Sequence, residues 1–121
     1  MESILTSIKK LLGITEEYEH FDIDIIMHIN SAFSVLTQLG VGPQKGFRIE
    51  DDGTEWSEFL LDDNRLEMVK TYIYLKVKLA FDSANLSSAV IDSINRQINE
   101  LEWRINVTVD PDKTEEEIQN G

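Results

Sequence analysis

Apolar residues along this chain recur at intervals of three and four, the spacing that lines one face of an α-helix. Ile4, Leu5, Ile8, Leu11 and Leu12 form a first stripe behind Ser3, a residue suited to an N-cap, and Gly13 supplies a stop. A second stripe, Ile25, Ile26, Ile29, Phe33, Leu36 and Leu39, predicts a helix that begins near Thr15 or Asp22 and ends at Gly40. A third begins near Asn64, behind Asp62 or Asp63, and turns Leu66, Val69, Ile73, Val77 and Phe81 inward. The fourth starts at Ser87 or Ser88. Its Ile91, Ile94, Ile98, Leu101 and Ile105 alternate strictly like the a and d positions of a coiled coil, a seam narrow enough for one partner. The predicted fold class is all-α: about four helices packed as a small bundle, one domain over residues 1–109. Beyond it, "PDKTEEEIQNG" carries a single apolar residue, so 110–121 is expected to be an acidic, flexible tail.

Between the second and third stripes the period breaks. "QLGVGPQKGF" holds Gly40, Gly42 and Gly46, and the next residues alternate Phe47 and Ile49 with charges before an Asp52-Gly53 turn. A glycine-rich loop or a short β-hairpin is expected there. A phosphate-cradling loop is not, because a dinucleotide fingerprint or P-loop follows a buried strand and opens directly into a helix. Here a helix precedes the glycines, their spacing is wrong, and Lys45 is followed by glycine where a P-loop needs Ser or Thr.

Charge narrows the field further. The net charge is −12 over 121 residues, and between Thr15 and Asp63 twelve acids face only Lys45 and Arg48, a local balance of −10. Asn64 to Asn106 is close to neutral, with six bases against five acids. Such a chain repels phosphate at long range, which argues against a protein that grips nucleic acid. No cysteine is present, so disulfides, thiolate metal sites and cysteine nucleophiles are excluded together. The first thirteen residues hold no apolar run of signal-peptide length and no segment suggests a membrane span, so a soluble protein made in the cytoplasm is expected.

Catalytic chemistry is equally sparse. Glu16, His20, Asp24 and His28 would share a helical face, and Glu17 with His20 has the Glu-x-x-His spacing of di-metal bundles. That chemistry needs a second such motif on another core helix, which the third and fourth stripes lack, and His20 leaves the face if Asp22 starts a new helix. The serines have no histidine partner evident in sequence. No catalytic residue, metal or cofactor is therefore expected, and Trp56, Tyr72, Tyr74 and Trp103 suit core or interface positions.

Taken together, "SILTSIKKLLGI", "FDIDIIMHINSAFSVLTQLGVGP", "NRLEMVKTYIYLKVKLAFD" and "NRQINELEWRINV" resemble a phage or prophage head-tail connector of the small all-helical adaptor class, over roughly residues 3 to 109. The resemblance implies a structural virion protein, made in the host bacterial cytoplasm. It would form a ring under the portal, extend the DNA channel without sequence-specific contact, and dock the next completion or tail protein. On that view Arg65, Lys70, Lys76 and Lys78 meet a neighbour's acids from residues 15–63, Trp56 and Trp103 are interface candidates, and Ile118 docks the tail on another virion component. The alternative for so acidic a chain is a small DNA mimic that inhibits a nucleic-acid-binding protein; its binding would fall steeply with salt.

The loop analysis generates a direct check. Lys45→Ala is expected to leave folding and assembly unchanged, and calorimetric titration of the parent with ATP, GTP or NAD is expected to show no micromolar binding.

Overall fold

A computed structural model describes residues 2–59 and 63–109, with the side chains of 63, 108 and 109 left aside. Among these residues there are five α-helices: α1 (Ile4–Leu11), α2 (Asp22–Gln38), α3 (Trp56–Phe59), α4 (Asp63–Asp82) and α5 (Ser88–Val109), with a 3-10 turn at Ser83–Asn85. The all-α architecture matches the helical period. The one-turn α3 lies outside that reading, since four residues are too few to show a period. Asp62 and the whole of 110–121 lie outside the described residues.

Each helix end follows from local chemistry. Ser3 Oγ accepts the Thr6 amide at 3.3 Å to cap α1, and Ser87 Oγ accepts the Val90 amide at 3.2 Å to cap α5. At the end of α2, Gly40 donates to Thr37 O and Val41 to Leu36 O, the paired bonds of a Schellman stop, with Gly40 at φ 85°. Val41 then turns inward, 1% exposed. Gly42 is constrained differently: a Cβ there would sit 2.3 Å from Phe59 Cε1, so the loop backbone lies directly on that ring.

The helices stack around α4. It packs on α2 along one side and on α5 along the other, and α1 leans on both α2 and α4. Val69, Tyr72, Ile73 and Val77 are wholly buried as a result, and Leu66 and Leu75 nearly so. The expected inward set of this helix thus gains Tyr72 and Leu75, because covering two sides of a helix buries more than one stripe. On α5 a single partner is covered: Ile94, Ile98 and Ile105 are buried and Ile91 and Leu101 half-buried, as the narrow seam requires. Tyr72 joins the two helices, its hydroxyl donating to Glu102 Oε1 at 2.8 Å. Burial, and then this acceptor and its charge, hold the Tyr72 phenol well above the usual tyrosine range.

Where a glycine-rich loop or a short β-hairpin is expected, the described residues contain no strand. Asn30 of α2 takes the place of a partner strand for Ile49, its Nδ2 donating to Ile49 O at 2.9 Å and its Oδ1 accepting the Ile49 amide at 2.8 Å. Gly53 is not among the positive-φ glycines that a two-residue hairpin turn requires; the Asp51 carboxylate accepts its amide at 2.8 Å instead. The returning segment then pairs with the chain's beginning. Ile4 donates to Thr54 O at 3.0 Å, and Ser3 and Glu55 form an isolated antiparallel bridge. Phe33, Phe47 and Phe59, with ring centroids 4.7 to 5.2 Å apart, fix the loop onto α2.

Lys9 is the least expected core residue, with its side chain only 3% exposed. Its ammonium donates to Glu16 O at 3.0 Å and Tyr18 O at 2.7 Å and pairs with Asp22 Oδ1 at 2.8 Å. Two carbonyls thus take hydrogen bonds from the ammonium, while Asp22 Oδ1, buried and without a hydrogen bond, balances its charge as an ion pair. These contacts hold residues 14–21 as a non-helical connection and place a carboxylate on the first turn of α2, where the helix dipole favours it.

Two outcomes are expected from these contacts. Lys9→Met should cost about 3 kcal/mol in urea unfolding, because it strands a carboxylate and two carbonyls; Asp22→Asn, which keeps an acceptor, should cost less. Tyr72→Phe should lose about 1 kcal/mol at neutral pH. A raised native pKa stabilises fully below the unfolded tyrosine value of about 10 and is lost as pH rises towards the native one. The gap between parent and Tyr72→Phe should therefore shrink in unfolding curves taken at about pH 11.

Candidate docking surfaces

With the core assigned, the apolar side chains left in solvent define the surfaces available to partners. On α5, Leu101 and Ile105 point to α4, so Trp103, two residues from each, falls on the opposite face. It is 68% exposed, with Val107 one turn further on at 51%. On α2, the residues between the buried Ile25, Ile29 and Ala32 leave Ile23 and Met27, one turn apart, 82% and 56% exposed. They open a groove of about 790 Å³ whose far wall is the Lys45 to Arg48 segment. Both patches are exposed apolar pairs on helix faces, the kind of surface that marks an interaction site.

The bases expected to meet a neighbour do not form one patch. Around α4, Arg65, Lys70, Lys76 and Lys78 fall successively about 140°, 120° and 160° apart, so no face collects them. Each also has company within the chain. Arg65 is half-buried and not without a partner. Lys70 lies 3.9 Å from Glu67 and over the Trp56 ring at 5.6 Å. Lys78 lies 4.0 Å from Asp82 and over Tyr74 at 6.0 Å. Lys76 is half-buried in a small recess with His28 and Ser31.

Trp56 requires a correction as an interface candidate, because it is 1% exposed. Its indole N–H donates to Ser7 Oγ at 2.7 Å, and that hydroxyl donates onward to Ile4 O at 3.0 Å. Trp56 therefore fastens α3 to α1 from inside. Trp103 stands where a partner can reach it, and Ile118 lies outside the described residues. Sequence pattern gave no sign of Lys9 or Ser7 as buried polar residues; only their position on the apolar face of α1, beside Ile4, Leu5 and Ile8, hints at it.

The histidine stripe does not assemble. α2 begins at Asp22, so Glu16 and His20 lie in the preceding connection, where the His20 ring packs on Phe21 at 4.9 Å. Phe21 in turn packs on Phe81 at 5.2 Å, tying that connection to the end of α4. No group of three or more His, Cys, Asp or Glu that could hold a metal occurs among the described residues, and no described helix is long and apolar enough to cross a membrane.

No curated protein and no solved structure matches the chain. The family described as phage connector protein matches it over residues 4–112, which takes in every helix described above. An all-helical chain with exposed apolar pairs at two helix faces, matched along nearly its whole length, belongs to the phage connector protein family.

Proposed function

We propose that this connector works as a ring under the portal of the phage head, with residues 1–109 as its assembling domain. In that place it extends the channel through which DNA passes and presents a surface to the next completion or tail protein. The observation that carries this reading is Trp103, a large aromatic side chain 68% exposed on the helix that closes the bundle. Tryptophan is the residue type that most often anchors an interface, and leaving one in solvent has no folding advantage.

A closed ring needs two different faces of each subunit to match. Trp103 and Val107 of α5 supply one apolar face, and the surface of residues 15–63 supplies an acidic one. The α4 bases are spread around their helix, and Lys70 and Lys78 already lie near acids and rings of their own chain, so they act on register more than on affinity. An excess of acid also keeps a channel-lining protein from adhering to the DNA that passes it. Membership of the connector family favours this role over a DNA mimic and supports a site of action in the virion, which on this reading is the junction of head and tail.

Electron microscopy of the protein mixed with purified portal is expected to show rings seated on the portal. Trp103→Ala should keep its unfolding free energy within about 0.5 kcal/mol of the parent. Ring or portal association, read by sedimentation, should weaken about tenfold or more, as for an interface anchor. A variant that assembles normally would remove Trp103 from the interface.

A further inference from the structure

Among the described bases, Lys76 alone is half-buried with no polar partner among the described residues. We propose that Lys76, His28 and Ser31 form a socket for a single carboxylate, such as the end of an aspartate or glutamate side chain.

The three side chains line a recess of about 290 Å³ between α2 and α4. His28 and Ser31 stand three residues apart on α2 and so share a face, and Lys76 reaches the same recess from α4. His28 and Lys76 are both half-buried, yet their side chains, like that of Ser31, make no hydrogen bond or ion pair among the described residues. Other sheltered ammonium groups of this fold are provided for. Lys9 has two carbonyls and a carboxylate around it, and the half-buried Lys70 and Lys78 each lie within 4.0 Å of an acid. Lys76 has the same need, and its own chain leaves it unmet.

The donor set selects the ligand. An ammonium, a hydroxyl and an imidazole N–H, the last present in either neutral tautomer, can share the two oxygens of a carboxylate through charge-assisted hydrogen bonds. Leu79 and Ala80 complete the wall with apolar surface that suits the short hydrocarbon stem of such a group. A phosphate dianion fits less well. Asp24 stands exposed one turn before His28 on α2, and the chain carries a net charge of −12, so a second negative charge adds to the repulsion that a single one meets. The acids of the other helices are engaged elsewhere. Asp82, the next acid along α4, lies 4.0 Å from Lys78 and accepts from Asn85 at 2.9 Å, and Glu102 of α5 accepts the hydroxyl of Tyr72, one turn before Lys76, at 2.8 Å.

The socket needs neither ring nor portal and is tested on the free, full-length chain. The sequence has two histidines, so His20, exposed and packed on Phe21, serves as the internal control for His28. With the imidazole signals followed by ¹H–¹³C NMR at constant pH and ionic strength, sodium acetate replacing sodium chloride is expected to shift the His28 signal along a saturating curve and to leave His20 nearly still. Lys76→Gln should weaken that binding about tenfold or more, as for a lost charged hydrogen bond, while Lys76→Arg should keep most of it. Neither change touches a fully buried side chain, and the remaining signals report that the fold is kept. Inorganic phosphate at the same concentrations should act more weakly than acetate. Parallel, unsaturated shifts of both histidines, a Lys76→Gln variant that responds as the parent does, or phosphate outcompeting acetate would each overturn the assignment. Dilution names the source of the carboxylate: a His28 signal that moves with chain concentration and is reversed by acetate assigns it to an acidic side chain of a second copy, and one that stays constant assigns it to a free carboxylic acid.

Discussion

The buried ammonium of Lys9 decides how the first third of the chain is laid out. An unpaired charge in that position would destabilise the fold by several kcal/mol, so residues 14–21 must bring two carbonyls and Asp22 to it. That requirement stops the connection from being helical, starts α2 at Asp22, and aims α2 so that Ile25, Ile29, Phe33 and Leu36 reach α4. The same short α1 offers Ser7 to the Trp56 indole. One side of α1 thus positions α2 and the other positions α3, and eight residues organise segments about fifty positions apart in sequence.

α4 then determines which faces are left over. It is covered on two sides, so α2 and α5 each spend one face on it and turn the other outward. The exposed apolar pairs Ile23 with Met27 and Trp103 with Val107 are consequences of that three-layer order and not isolated surface accidents. A monomer that needed only to fold would gain by replacing them with polar residues. Their presence fits a chain whose family links one part of a phage particle to another.

Much of this was legible beforehand because helical period is a strong signal wherever one face is buried. The seam on α5 is the clearest instance: every third or fourth residue from Ile91 to Ile105 is apolar, and the structure turns those residues to α4. Period fails where burial is two-sided, which is why Tyr72 and Leu75 escape notice on α4. It fails again where side chains replace backbone ladders. Phe47 and Ile49 alternate like a strand, yet Asn30 supplies both hydrogen bonds a second strand would have made, and nothing in the pattern marks Asn30 for that task. Trp56 and Trp103 show the same limit on the surface side, since one residue type fills the core in one place and solvent in the other, and only the packing of α3 on α1 distinguishes them.

The pairing of residues 2–4 with 54–56 also bears on the order in which the molecule is made. Ser3 and Glu55 lie 52 positions apart, and closing so long a loop costs entropy that only the finished contact returns. α1 has eight residues, too few to hold a helix alone in water. During synthesis α1 therefore emerges before α3 but gains its seat only after Trp56 has left the ribosome and reached Ser7. α1 is thus a late piece of the folded domain, waiting on a turn of helix encoded about fifty residues further on.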